Sequence, residues 1–360
     1  MAHEHRFGWS PFHSVRHAAM VPPALRRTLG SLAVVMAIAA LVVGGADSRT
    51  ASTGALVDVG GGEVAIFYYP WYGTAAQDGG WQHWQQHANT PPSQIASGWF
   101  PARGPYSSSD PTVVRAQMRE IASIGVQTVI VSWWGQGSTE AVRLPAVARA
   151  ARAAGLRVAL HVEPYAGRTP ALLESEIRAF SVSGITDFYI YDSTTTPDPD
   201  WRGLNERLSG VRLFANTNLP GKALAGGFDG LYTYDVYVYD GSSFPRVCAS
   251  AKRLGLLCAP SVGPGYDAVR ATGDARVRTR AGGATYDRMW RGAIRAAADV
   301  VTITSYNEWH EGTQIEPAKA VGVPYASYDG AYGLVGRAAQ RAYLDRTAEW
   351  ARRYRAGLAR

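Results

Sequence analysis

From Glu63 onward, short runs of contiguous or alternating apolar residues take turns with longer stretches whose apolar positions recur three and four apart, the periods of strand and helix. Eight runs read as strands: Val64 to Tyr69, Val126 to Trp133, Arg157 to Val162, Asp187 to Tyr191, Val211 to Asn216, Gly230 to Tyr234, Gly255 to Pro260 and Val300 to Ser305. Between them, helical periodicity covers Thr112 to Ile124, Thr139 to Ala154, Pro170 to Val182, Phe244 to Leu254 and Tyr286 to Ala298, and a last helix is expected from Gly333 to Arg355. Such alternation implies parallel strands joined by right-handed crossovers. Eight units point to an α/β fold of the closed (β/α)8 TIM-barrel type. A doubly wound sheet would carry a Gly-rich phosphate turn after its first strand, whereas here that strand ends in YYPWYG and runs into the long loop DGGWQHWQQH.

The segment ahead of the barrel has a different pattern. Leu29 to Ala46 is almost uncharged, follows Arg26 and Arg27, and contains about 12 strongly apolar residues from Leu32 to Val43, short of the roughly 20 that span a bilayer. With the small residues Gly44, Gly45 and Ala46 as a cleavage site, residues 1–46 read as an export signal, a signal peptide or an uncleaved membrane anchor; Ser48 to Gly62 reads as a linker, and residues 63–360 as the folded domain. Translation is expected to start at Met20, since the preceding residues make the signal unusually long. The protein is then exported, secreted or anchored at the outer face of the plasma membrane, touching the membrane only through this segment, and is expected to be a monomer.

Of 360 residues, 46% are hydrophobic and 18% charged, which suits one large domain and excludes compositional disorder. The formal charge of +7 raises nucleic acid as a partner, yet only Lys222, Lys252 and Lys319 are lysines and no basic run tracks phosphates, so no nucleic-acid partner is expected. Cys248 and Cys258 are the only cysteines; in an exported chain they form either one disulfide or two buried thiols.

The chemistry gathers at strand ends. SYNEWHEGTQIEPA, Ser305 to Ala318, follows the apolar run of the last strand and sets Glu308, Glu311 and Glu316 among Asn, Trp, His and Gln. In a barrel this is the functional rim. Other strand ends carry Tyr69, Trp133 and Trp134, His161, Glu163 and Tyr165, and Tyr234, the mixture of aromatic platforms and hydrogen-bonding groups that a sugar requires. Glycoside hydrolysis needs a proton donor and a second assisting group, which Glu308 and Glu311 supply if the strand stops near Tyr306 and the chain turns, bringing positions three apart onto one face. His161 and Glu163, two apart, share one face of their strand. HExxH and HxH are absent, as is a GxSxG elbow, so neither a metal nor a cofactor nor a serine nucleophile is expected.

These residues, together with HVEPY, FYYPWYG...DGGWQHW and GPGYD followed by Arg270, resemble glycoside hydrolase family 99, the endo-α-1,2-mannosidases and mannanases, from about Ala65 to the end of the chain. The resemblance implies a metal-independent, retaining, endo-acting enzyme on α-mannan or a mannose-containing oligosaccharide. It implies Glu311 as general acid/base and Glu308 as the base that deprotonates the mannose 2-hydroxyl, giving a 1,2-anhydro sugar. It further implies that Tyr69, Tyr234, Arg270 and Asn307 surround the reacting sugar, that Trp133 or Trp134 stacks on the next one, and that His161, Glu163 and Tyr165 face the leaving side. Two other readings stay open: a non-hydrolytic carbohydrate-binding barrel of a surface polysaccharide system, and a glycosidase acting on another α-linked surface glycan.

Overall fold

The structure, a computed structural model, describes residues 62–357. The expected export segment, the Met20 start and all of the linker except Gly62 lie outside these residues. Among the described residues no helix is long and apolar enough to cross a membrane.

The main sheet is wholly parallel and contains β1 (Glu63–Tyr68), β2 (Thr128–Trp133), β3 (Arg157–Val162), β4 (Asp187–Ile190), β5 (Arg212–Asn216), β6 (Gly230–Tyr232), β7 (Leu257–Ala259), β8 (Ser261–Val262) and β11 (Val300–Ile303). Its nine members follow the order β7-β6-β5-β4-β3-β2-β1-β11-β8. Because β7 and β8 are separated only by Pro260, the two ends of this series are one interrupted strand, and the sheet is a nearly closed barrel of eight staves. The split has a simple cause. Proline has no N–H to donate to a ladder, so the stave pairs with β6 before Pro260 and with β11 after it, while the Pro260 carbonyl still accepts from Thr302 N–H at 3.1 Å. A small antiparallel hairpin, β9 (Tyr266–Asp267) with β10 (Val277–Arg278), rises from the loop after β8.

The longer helices are α2 (Pro111–Ser123), α3 (Thr139–Ala153), α4 (Pro170–Val182), α5 (Asp198–Arg207), α7 (Phe244–Arg253), α9 (Ala284–Arg295) and α11 (Ala342–Arg355); α1 (Ala75–Asp78), α6 (Pro220–Ala225), α8 (Val269–Thr272) and α10 (Gly336–Ala339) are short. Their starts are written in the sequence: the side chains of Asp110, Ser138 and Thr169 cap α2, α3 and α4, and Pro111 and Pro170 occupy first-turn positions where no N–H is needed. The expected last helix from Gly333 is instead α10 and α11, broken at Gln340–Arg341.

Strand parity builds two cores. In β1, Val64, Ile66 and Tyr68 face the helices, while Ala65, Phe67 and Tyr69 point into the barrel, where they meet Ile130, Ala159, Tyr189, Phe214, Tyr232 and Tyr234. At the bottom of the barrel Glu63 pairs with Arg157 (2.7 Å) and accepts from Thr128 (2.6 Å), and Arg212 pairs with Asp187 (2.5 Å). Polar groups thus close one end and aromatic groups fill the interior, which leaves the C-terminal strand ends to carry the candidate site. On the outside, Cys248 of α7 and Cys258 of β7 form a disulfide with Cα atoms 5.2 Å apart, which settles the choice that the sequence left open.

Candidate active site

The last stave stops at Ile303, three residues before Tyr306, and the chain folds back on itself. Ser305 N–H donates to Thr313 O (3.0 Å), Ile315 N–H donates to Ser305 O (2.9 Å), and Glu316 N–H donates to Tyr306 O (2.8 Å). Glu308 through Glu311 therefore lie on tight turns, with the Glu308 N–H held by Ser305 Oγ at 2.8 Å. Gly312 ends the turn at φ +64°, where a Cβ would stand 2.4 Å from the Trp99 ring.

Glu316 anchors this loop from behind. Its fully buried carboxylate accepts from Arg103 Nε (2.9 Å), Gln117 Nε2 (2.9 Å), Tyr106 OH (2.8 Å) and Trp309 Nε1 (2.9 Å). Asn307 ties the loop to β1: its Oδ1 accepts from Tyr69 N–H (2.8 Å), and its Nδ2 donates to Tyr69 O (2.9 Å) and Tyr106 OH (3.2 Å).

Facing the loop is a ring of aromatic and polar groups. The Tyr69 and Tyr234 hydroxyls are hydrogen-bonded at 2.5 Å, His161 stacks on Tyr234 with centroids 5.2 Å apart, and Tyr191 packs edge-on to both. Trp71 Nε1 donates to Ser132 Oγ (3.1 Å), which donates to Glu163 Oε1 (2.8 Å); His161 Nδ1 lies 2.9 Å from the same oxygen. His161 Nε2 and the Tyr232 hydroxyl are 2.9 Å apart. Above these, Trp71, His83 and His310 form a shelf, with His83 stacked on His310 at 5.3 Å. Burial pushes His310 down to about 4, so its ring is neutral near pH 7 and its Nε2–H donates to the His83 carbonyl at 2.9 Å.

Electrostatics separate the two glutamates. Burial pushes Glu311 up to about 8, and the negative charges of Asp235, Glu163 and Asp274 add to this against the opposing pull of Arg276. Burial likewise pushes Glu308 well above the ordinary carboxylate range, with repulsion from Glu311 next in size. Backbone N–H groups of His310 (3.1 Å) and Glu311 point at the Glu308 carboxylate and favour its ionised form. Burial and mutual repulsion thus favour the protonated form of both carboxyls, and backbone donors oppose this at Glu308. Glu308 Oε2 is buried and, among the described residues, has no hydrogen-bond partner. An acceptor of this kind costs free energy until a donor arrives.

Glu308, Glu311, Tyr69, Tyr234, His161, Glu163 and Trp134 come together at the C-terminal ends of the strands, Trp134 packing edge-on to Trp71 at 6.3 Å. Four of the residues expected to touch sugar are engaged with the protein itself in this structure. Trp133 has helix-facing parity and packs on Phe180 of α4 (5.3 Å) and on Tyr165 (5.5 Å). Tyr165 turns the same way, donating its hydroxyl to Glu176 of α4 at 2.9 Å. Asn307 spends its amide on Tyr69 and Tyr106, so it positions strand and loop and has no donor left for a sugar. Arg270 lies over Tyr325 (4.8 Å) and donates to Ile95 O (2.9 Å), bracing the long loop after β1; the arginine acting on Glu311 is Arg276, paired with Asp274 at 2.6 Å. Trp71, Ser132 and Asp235 lie at strand ends that the sequence already marks as candidates, whereas Tyr191 and Arg276 were not among the expected site residues. Strand parity would have found Tyr191, whereas a hairpin residue such as Arg276 carries no periodic signal. Among the described residues, no group of three His, Cys, Asp or Glu side chains is arranged to hold a metal ion.

The sequence profile of glycosyl hydrolase family 99 matches residues 62–356. The chain is similar to a glycoprotein endo-alpha-1,2-mannosidase-like protein of Danio rerio, 34% identical over 330 residues, covering 74% of each chain. It is also similar to the glycoprotein endo-alpha-1,2-mannosidase of Xenopus laevis, 31% identical, with 81% of this chain and 77% of that protein covered. Among solved structures, the family 99 endo-alpha-mannosidase of Bacteroides thetaiotaomicron superposes with a TM-score of 0.73 at 28% identity, covering 82% of this chain and 98% of that one.

Proposed function

The chain belongs to glycosyl hydrolase family 99 and is a glycoside hydrolase; from this premise we propose that it is an exported, retaining endo-α-mannosidase that cuts internal α-1,2-type linkages of a mannan or mannose-containing oligosaccharide. The names of its relatives support the substrate class, and the character of residues 29–46 supports export.

The observation that carries the mechanism is the orphaned Oε2 of Glu308, a buried carboxylate oxygen without a donor. In this reading a substrate hydroxyl supplies that donor. Glu308 takes the proton of the mannose 2-hydroxyl as O2 attacks C1; the C1–O bond to the leaving sugar breaks, and Glu311 gives that oxygen its proton. In the second half Glu311 removes a proton from water, the water oxygen attacks C1, the three-membered ring opens, and O2 recovers its proton from Glu308. Two displacements at C1 preserve its configuration. The Glu311 role suits its surroundings, because a carboxyl held up to about 8 keeps its proton at neutral pH, and the backbone N–H groups of His310 and Glu311 favour the ionised form that the Glu308 role requires.

Glu308→Gln and Glu311→Gln are each expected to lose at least about a thousandfold in kcat/KM on an α-1,2-mannan while keeping the wild-type unfolding curve. Full activity in either variant would refute the assignment.

A further inference from the structure

Arg280, the last residue before the 3₁₀ turn Ala281–Gly283, is 91% buried but makes no ion pair among the described residues. Three aromatic rings enclose its guanidinium: Trp99 at 4.8 Å, Tyr328 at 4.7 Å and Tyr343 at 4.6 Å. One nitrogen, Nη2, donates to Gly312 O (2.9 Å) and Gln314 O (2.7 Å), both on the segment that follows Glu311. Nε and Nη1 are buried without a hydrogen-bond partner. A desolvated guanidinium without a carboxylate is costly, and cation–π contacts offset only part of that cost. For packing alone an apolar side chain would serve this box better. What the charge provides here is a pair of charge-assisted hydrogen bonds to one loop.

Neighbouring contacts act on the same loop. Asp267 N–H donates to Glu311 O (2.7 Å), Tyr328 OH donates to Gln314 O (3.1 Å) and Glu316 O (3.1 Å), and the Trp99 ring covers Gly312. We propose that Arg280 is a positioning residue for the proton donor: by clamping the carbonyls of Gly312 and Gln314 inside an aromatic box, it fixes the height and direction from which Glu311 meets the leaving oxygen. This rests on Glu311 being the acid, as proposed above. A cavity of about 210 Å³ lined by Trp99, Asp267, Arg280, Tyr328 and Tyr343 adjoins the guanidinium and is large enough to admit a free guanidinium ion.

The test compares two substrates in the full chain. One is an α-1,2-linked mannan oligosaccharide, whose leaving sugar needs a proton; the other is a 2,4-dinitrophenyl α-mannobioside, whose leaving group departs without one. Arg280→Ala is expected to lose about a hundredfold in kcat/KM on the oligosaccharide and about tenfold less than that on the aryl glycoside, with millimolar guanidinium restoring part of the oligosaccharide activity. Arg280→Lys, which keeps the charge and one hydrogen bond, is expected to show the same selectivity with a smaller loss, and it serves if the alanine variant does not fold. Equal losses on both substrates, or none, would overturn the proposal. A wild-type enzyme inactive on both α-mannosides would instead overturn the proposed function.

Discussion

Replacing Glu316 with glutamine exchanges one oxygen for an NH₂ group at a position where every neighbour is a donor. Four donors converge on the carboxylate, two on each oxygen: Arg103 and Gln117 on Oε1, Tyr106 and Trp309 on Oε2. Glutamine fills the same volume but has one acceptor, so whichever way its amide turns, two buried donors face an NH₂. Each stranded donor costs about 1–3 kcal/mol, and Arg103 loses one of its two carboxylate partners, keeping Glu120 at 2.6 Å. The expected loss is about 3–5 kcal/mol, read as a lower urea midpoint in an unfolding curve followed by tryptophan fluorescence. Below the new midpoint, kcat should fall as well, because Trp309 lies between the two proposed catalytic glutamates in the chain and Tyr106 holds Asn307. A destabilisation under about 1 kcal/mol would show that the four contacts do not hold the loop.

Two further outcomes follow from the same structure. With Glu311 held up to about 8, the acid is protonated below that value and empties as pH rises through it, so kcat/KM is expected to drop about tenfold per unit above pH 8; a profile flat to pH 9.5 would mean that another group carries the proton. Replacing both Cys248 and Cys258 with serine opens a loop of sequence separation 10 and should cost about 2–3 kcal/mol in the unfolding curve. Activity at 25 °C should be unchanged, because the bridge ties α7 to the outside of β7, and a large fall in kcat would contradict that separation.

The barrel was legible because each stave is a β-rich run bounded by turn residues, and that signal survives in a single sequence. Helices α5 and α6 were not, since Asp198–Arg207 begins with two prolines nearby and Pro220–Ala225 is too short to show a period. The candidate pair Glu308 and Glu311 stands out in the sequence as an apolar run breaking into carboxylates. Its surroundings could be read only where strand parity applies. The sequence left Trp133 and Trp134 as alternatives, and parity separates them: Ile130 faces into the barrel, so Ser132 does too and Trp133 faces out, while Trp134 packs against the inner cluster. The hydrogen bonds of Asn307 to the Tyr69 backbone were not legible, because nothing local reveals that Tyr69 lies opposite it across 238 residues of sequence. Arg270 and Arg276 sit on a short helix and a hairpin whose directions are set by tertiary contacts, and no periodicity tells them apart.

The central claim, that Glu308 and Glu311 cut inside an α-mannan with two displacements at one carbon, is tested most directly by proton NMR of the reducing end formed in the first minutes of digestion of an α-1,2-mannan. The account predicts an oligosaccharide whose α-anomer appears first and then equilibrates with the β-form. Initial release of the β-anomer, or of mannose alone, would contradict it.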